Sequence, residues 1–349
     1  EITKRFLNGL DHLLIYLSSD HVRRELAGLI YLEETVYRLG RKSTYFANSL
    51  AIDVLTDTTE RSPTFCVPPF RKWDDANAAE SWTFLVLPDD RTSDAWESML
   101  HRPPYCLQWN RAEVTELIGS ERAQVQARVM SAIGPDEIQR FRIGMDGLKT
   151  RLVERGDAAV CVVSESEKAE LLSEEGFFRR QMESAHARGA LTSLIYIGRK
   201  RSFREIEDFL LSWQVQCRHV LLPIPDANLM LDGLTRVGVK MLLNALSTCT
   251  MVRLGRVLGN CMVAVVPSNL KLIDRSIRYV QALTGTPYET ACRLLFESIE
   301  YVRPRMETGQ SYPPVVALTA VRARRGVDLA EAESLVHEEL GENRLNPMH

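Results

Sequence analysis

Hydrophobic positions recur with helical spacing at the start of the chain. Leu10, Leu13, Leu14 and Leu17 fall on one face, and Leu26, Leu29, Ile30 and Val36 form a second stripe. Ser18-Ser19-Asp20 lies between the stripes as an N-cap, and Gly40 follows as a stop, so two helices are predicted over residues 1–40. The pattern then changes to short apolar runs bounded by turn residues. These are Thr44–Ala47, Thr64–Val67, Trp82–Leu87, Tyr105–Trp109, Ala158–Val163, Leu191–Ile197 and His219–Ile224. Helical stretches separate most of them. Such alternation predicts a parallel sheet covered by helices on both faces, a three-layer α/β fold. Residues 111–150 are mostly polar at helical spacing and read as a helical insertion outside the sheet.

Beyond residue 230 the strands cease. Lys240–Met262 reads as one long, largely buried helix, with Ala245, Ser247, Gly255 and Gly259 as small residues within it. From Pro267 onward only helices are expected, over Leu270–Leu283, Thr286–Ile299, Val315–Ala323 and Leu329–Leu340. Asp328 is the N-cap of the last, and Glu307–Pro314 is a loop. The expected organisation is N-terminal helices over 1–40, an α/β domain over 41–268 and an all-helical cap over 269–349.

Composition narrows the function classes. The chain has 349 residues, 45% of them hydrophobic and 26% charged, which fits a soluble globular protein with a sizeable core. Its formal net charge of -3 lacks the basic excess of a nucleic-acid binder, so no nucleic-acid partner is expected. The 7 cysteines show no C-x-x-C spacing and several sit in apolar runs, as Cys161 does. That pattern reads as reduced thiols of a cytoplasmic protein. No apolar run is long enough to span a bilayer, and no membrane partner is expected. His12, His21, His101, His186, His219, His337 and His349 are scattered without metal spacing. A nucleophile elbow, a Walker loop and a dinucleotide fingerprint are all missing from the sequence, so neither metal nor cofactor is expected. The chain begins at Glu1 with a helix already under way, which reads as the remainder of a longer parent.

Two segments carry a family resemblance. Lys240-Met-Leu-Leu-Asn-Ala-Leu-Ser-Thr continues through Met251-Val-Arg-Leu-Gly-Arg-Val-Leu-Gly-Asn260 to Ser268-Asn-Leu-Lys-Leu272. Upstream, Tyr45–Asp57 leads into Glu60-Arg-Ser-Pro-Thr-Phe65. Both resemble the family of SIS (sugar isomerase) domains that holds the N-acetylmuramic acid 6-phosphate etherases and the glucokinase regulatory proteins. The first looks like the family's long helix and following turn, the second like its first strand, loop and helix. The order is most similar to a second SIS domain followed by a helical lid. In the etherases a glycine-rich loop with a Thr-Ser pair follows the first strand and holds a sugar phosphate. Here Ala47-Asn48-Ser49-Leu50-Ala51 stands in its place, without the glycines. A serine-rich loop is expected after Trp82–Leu87, where this chain has Pro88-Asp89-Asp90-Arg91-Thr92-Ser93.

The resemblance implies a sugar-phosphate-binding domain of regulatory type, with a second SIS domain or a sugar kinase as its partner. A lyase or isomerase of the etherase type is the alternative. Lys240 takes the position of a lysine that reaches a sugar phosphate, and a lysine early in a helix suits a dianion. As a surface residue it would be solvated. Glu60 corresponds to the glutamate of the elimination chemistry and would act as an acid/base or accept a sugar hydroxyl. Alone it would be a helix-end carboxylate. Arg236, four residues before Lys240, shares a helix face with it and would share the phosphate or form an ion pair. Gly198-Arg-Lys-Arg-Ser202 opens a helix at the ligand edge of the sheet, where it would hold an anion or remain a solvated turn.

Overall fold

A computed structural model describes residues 1–59, 62–107, 109–213, 216–226, 229–308 and 310–340. Helix α1 (Ile2–Leu17) and α2 (Asp20–Arg38) precede strand β1 (Ser43–Ala47). The chain continues through α3 (Ala51–Val54), a π-helical turn over Leu55–Thr59, α4 (Ser62–Phe65), β2 (Thr83–Val86) and α5 (Thr92–Leu100). Helices α6 (Arg111–Ile118), α7 (Ser120–Ala132) and α8 (Asp136–Gln139) form the insertion. Then come β3 (Ala158–Ser164), α9 (Lys168–Leu172), α10 (Phe177–Ala187), β4 (Leu191–Gly198), α11 (Phe203–Ser212), β5 (Cys217–Pro223) and α12 (Gly233–Arg253). Four helices close the described chain: α13 (Leu270–Thr284), α14 (Tyr288–Glu307), α15 (Val315–Arg325) and α16 (Leu329–Leu340).

The five strands are all parallel and run in the order β2-β1-β3-β4-β5. This is the expected three-layer α/β fold. Strand residues alternate between two cores because successive side chains point to opposite faces. Tyr45, Val160, Ile195 and Val220 face one core with α2, α5 and α12. Phe46, Cys161, Tyr196 and Leu221 face the other, with Phe178 and Met182 of α10 and Ile206 of α11. The order reverses between β1 and β3, and open α/β sheets place ligands outside the carboxyl ends of strands at such a switch point.

Caps agree with the sequence. The Ser19 side chain accepts the Val22 N–H, Gly40 takes φ 72°, and Asp328 accepts the Glu331 N–H at 2.9 Å. Three expected elements are different. Thr64–Val67 is not a strand: Ser62–Phe65 is helical, and Cys66 turns the chain with φ 51°. Tyr105–Cys106–Leu107 forms no strand, and Tyr105 and Leu107 project into solvent without a neighbouring strand to bury them. The long helix ends at Arg253, not Met262, because Gly255 and Gly259 adopt left-handed backbone and Leu258 bridges back to Cys261. Val263 and Val265 then enter the core of the helical cap beside Leu295, Val302 and Leu318.

Candidate functional site

The carboxyl ends of β1 and β3 open onto a cavity of about 310 Å³, bordered by Ser49, Ser164, Ser166, Asp232 and Arg236. Ser49 follows β1 directly, and its Oγ lies 3.0 Å from Ser164 Oγ at the end of β3. Ser164 Oγ in turn lies 2.8 Å from Ser166 Oγ. Three hydroxyls and two backbone N–H groups therefore converge where a parallel sheet meets its ligand.

An internal carboxylate occupies this convergence. Glu167 Oε1 accepts the Ser49 N–H at 2.8 Å. Its Oε2 accepts the Ser164 N–H at 2.9 Å and the Ser164 hydroxyl at 2.7 Å. Ser164 and Glu167 form a reciprocal capping box, so the first turn after β3 is locked by the same carboxylate. Glu167 is buried. The two backbone donors at the switch point are thus already satisfied by an internal carboxylate.

A second carboxylate does the same at the neighbouring strand β4. Glu165 accepts the Arg199 N–H at 2.7 Å, the Ser202 hydroxyl at 2.7 Å and the Tyr196 hydroxyl at 2.9 Å. Burial raises its pKa, yet these donors outweigh burial and hold it below the usual carboxylate range. The basic turn Gly198–Ser202 does meet an anion, and that anion is Glu165.

The two cations expected at the site stand on one face of α12, and both are ion-paired. Arg236 Nη1 lies 2.7 Å from Asp53 Oδ2, and another of its N–H groups donates to the Ser49 carbonyl at 3.3 Å. Lys240 Nζ lies 2.7 Å from Asp57 Oδ2 and 3.2 Å from Thr56 Oγ1. Positions 236 and 240 on α12 thus meet positions 53 and 57 across the helix interface, both pairs spaced by four residues. Burial raises the Asp53 pKa, and Arg236 and Lys240 partly offset that rise. Arg236 borders the cavity, whereas Lys240 is directed to the π-helical turn. Glu60 lies outside the described residues.

The carboxylates Asp53, Asp57, Glu165 and Glu167 were not singled out from sequence. A signal for two of them exists: Ser164-Glu-Ser-Glu167 directly follows a strand at the ligand edge and has the S-x-x-E spacing of a capping box. The acidic loop Asp89-Asp90 after β2 is tied to the insertion, with the Met145 N–H donating to the Asp89 carbonyl at 2.8 Å.

Segments of the chain are similar to enzymes named N-acetylmuramic acid 6-phosphate etherase. One from a Nostoc species is 38% identical over 131 residues, covering 36% of this chain and 39% of its own length. One from Bacillus licheniformis, named etherase 1, is 36% identical over 103 residues, 30% of this chain and 29% of its own. A third, from a Synechococcus species, is 47% identical over 73 residues, 20% of this chain and 23% of its own. The chain spans at most 39% of the length of these curated relatives. No family model matches it. Among the described residues no helix is long and apolar enough to cross a membrane.

Proposed function

We propose that this chain is a SIS-type domain serving a sugar-phosphate-responsive protein in a regulatory, non-catalytic role. One observation carries the reading: the Glu167 carboxylate accepts the backbone N–H groups of both Ser49 and Ser164 at the switch point. A phosphate dianion entering there would face a buried carboxylate at hydrogen-bond range and would have to displace it. Arg236 and Lys240 are also partly neutralised by Asp53 and Asp57. In this reading a second SIS domain supplies the phosphate cradle, Lys240 reaches across to it, and a sugar kinase is the class of partner regulated.

The names of the relatives fit a lyase better than a regulator. Under that second reading the chain eliminates lactate from a phosphorylated muramic acid, with Glu60 as the base. Elimination requires the substrate anchored so that the reacting carbon meets the base.

The two readings separate in one assay. The 349-residue chain is incubated with N-acetylmuramic acid 6-phosphate and with hexose phosphates, and lactate release and sugar interconversion are followed. The regulatory reading expects neither. Turnover that vanishes in Glu60→Gln would establish the lyase. Calorimetric titration with fructose phosphates, alone and with an intact SIS domain added, tests the binding role.

A further inference from the structure

A larger cavity lies at the other end of α12. Its volume is about 540 Å³, within the size range of small-molecule sites. Val252, Val257 and Leu258 form the wall on the α/β side, and Leu283, Ala317 and Val336 form the wall on the cap side. The opening has a local cause. Gly255, with φ 78°, turns the chain away as soon as α12 ends. Across from it, α15 presents Ala317 and Ala320, whose side chains are too short to fill the gap.

The rim is charged. Arg324 lines the cavity, and its Nε donates to the Leu283 carbonyl at 3.0 Å, with an Nη2 N–H donating to the same oxygen. Both bonds end on a neutral acceptor, so they fix the guanidinium in place without cancelling its charge. Arg325 lines the cavity beside it. An apolar chamber with a positioned guanidinium at its edge is complementary to a molecule with an apolar body and one anionic end.

We propose that this cavity binds an amphiphilic monocarboxylate of the medium-chain fatty-acid class. Because Nε and one Nη2 N–H are held by the Leu283 carbonyl, the carboxylate pairs with the outer edge of the Arg324 guanidinium, formed by Nη1 and the second Nη2 N–H. The alkyl chain takes the space between Val257, Leu258 and Val321. The site shares only α12 with the switch point and takes the opposite end of that helix. Residues 236 and 252 are separated along α12 by about 24 Å at 1.5 Å per residue. The inference therefore stands whether or not the switch point binds a sugar phosphate. An occupant here touches both the end of α12 and three cap helices, and so it braces the cap against the α/β domain.

The test is calorimetric titration of the whole chain with decanoate, decanol and decylamine. Decanoate is expected to bind saturably at one site below about 1 mM, and decanol roughly tenfold more weakly, the scale of one charge-assisted hydrogen bond. Arg324→Gln should bring decanoate to the level of decanol. Ala320→Trp, which fills the chamber, should abolish both. If that variant does not melt cooperatively, Ala317→Phe takes its place. Absent saturation by decanoate, equal binding of decanoate and decylamine, or binding unchanged by the filling variant would each overturn the proposal.

Discussion

Glu167 Oε1 accepts the backbone N–H of Ser49 at 2.8 Å, so a carboxylate that follows β3 closes the loop that follows β1. Removing it leaves the partly buried Ser49 N–H and the buried Ser164 N–H without their acceptor. Glu167→Ala is expected to destabilise the chain by about 2–4 kcal/mol, from lost charge-assisted bonds and unsatisfied donors. It should also open the nest to an external anion. Inorganic phosphate is expected to raise the melting temperature of Glu167→Ala and to leave that of the unmodified chain unchanged, as thermal melts at matched ionic strength would reveal.

Lys240 and Asp57 form a pair in which the lysine is half exposed and the carboxylate is buried. Lys240→Met should cost about 1–2 kcal/mol in urea denaturation, with the value held down by solvent screening of the lysine. Asp57→Asn frees the lysine from its counter-charge. If Lys240 serves a sugar phosphate, fructose phosphate affinity measured with the partner SIS domain present should rise in Asp57→Asn and fall in Lys240→Met.

Glu33 is buried under the sheet, accepting the hydroxyl proton of Tyr45. Burial pushes its pKa up to about 7, against the opposing hydrogen bonds of Tyr45, Tyr37 and Thr250. The folded chain keeps this proton where the unfolded chain has lost it. The proton's stabilising contribution is complete below the unfolded pKa near 4.5 and is lost as pH rises through about 7. Between pH 5 and 8 the unmodified chain should therefore lose on the order of 3 kcal/mol relative to Glu33→Gln, which cannot titrate. Urea melts of the two chains across that range give the difference directly.

Arg256 donates to the carbonyls of Phe65 and Cys66, both at 2.7 Å, and its guanidinium lies 4.8 Å from the Trp82 ring centre. It ties the turn after Ser62–Phe65 to the segment that follows α12. Arg256→Met should cost about 2–4 kcal/mol, by stranding two carbonyls and removing a cation–π contact. Because Cys66 sits at that turn, its thiol should react faster with a maleimide in the variant, a readout that global stability alone does not supply.

Five of the seven strand-like runs became strands, because each carries consecutive β-branched or apolar residues that a parallel sheet buries on both faces. Ala158–Ser164 is buried throughout. Thr64–Val67 failed because four apolar or β-branched residues say little about period, and here the carbonyls serve Arg256 in place of a ladder. The site was legible as a location and less so as chemistry. Arg236 and Lys240 were visible because cations four apart on an amphipathic helix stand out. Their partners Asp53 and Asp57 were not, since pairing across two helices depends on a docking angle that periodicity does not encode. Glu167 looked like one more surface acid until the sheet brought β1 beside β3.

Val263 and Val265 pack among the cap helices although they follow directly from the segment that leaves α12. A recombinant fragment limited to residues 269–340 would lack both side chains, and a fragment ending at 268 would leave them in water. A division that lets each half carry its own apolar surface falls between Met262, which packs against the α/β core, and Val263, which enters the core of the cap.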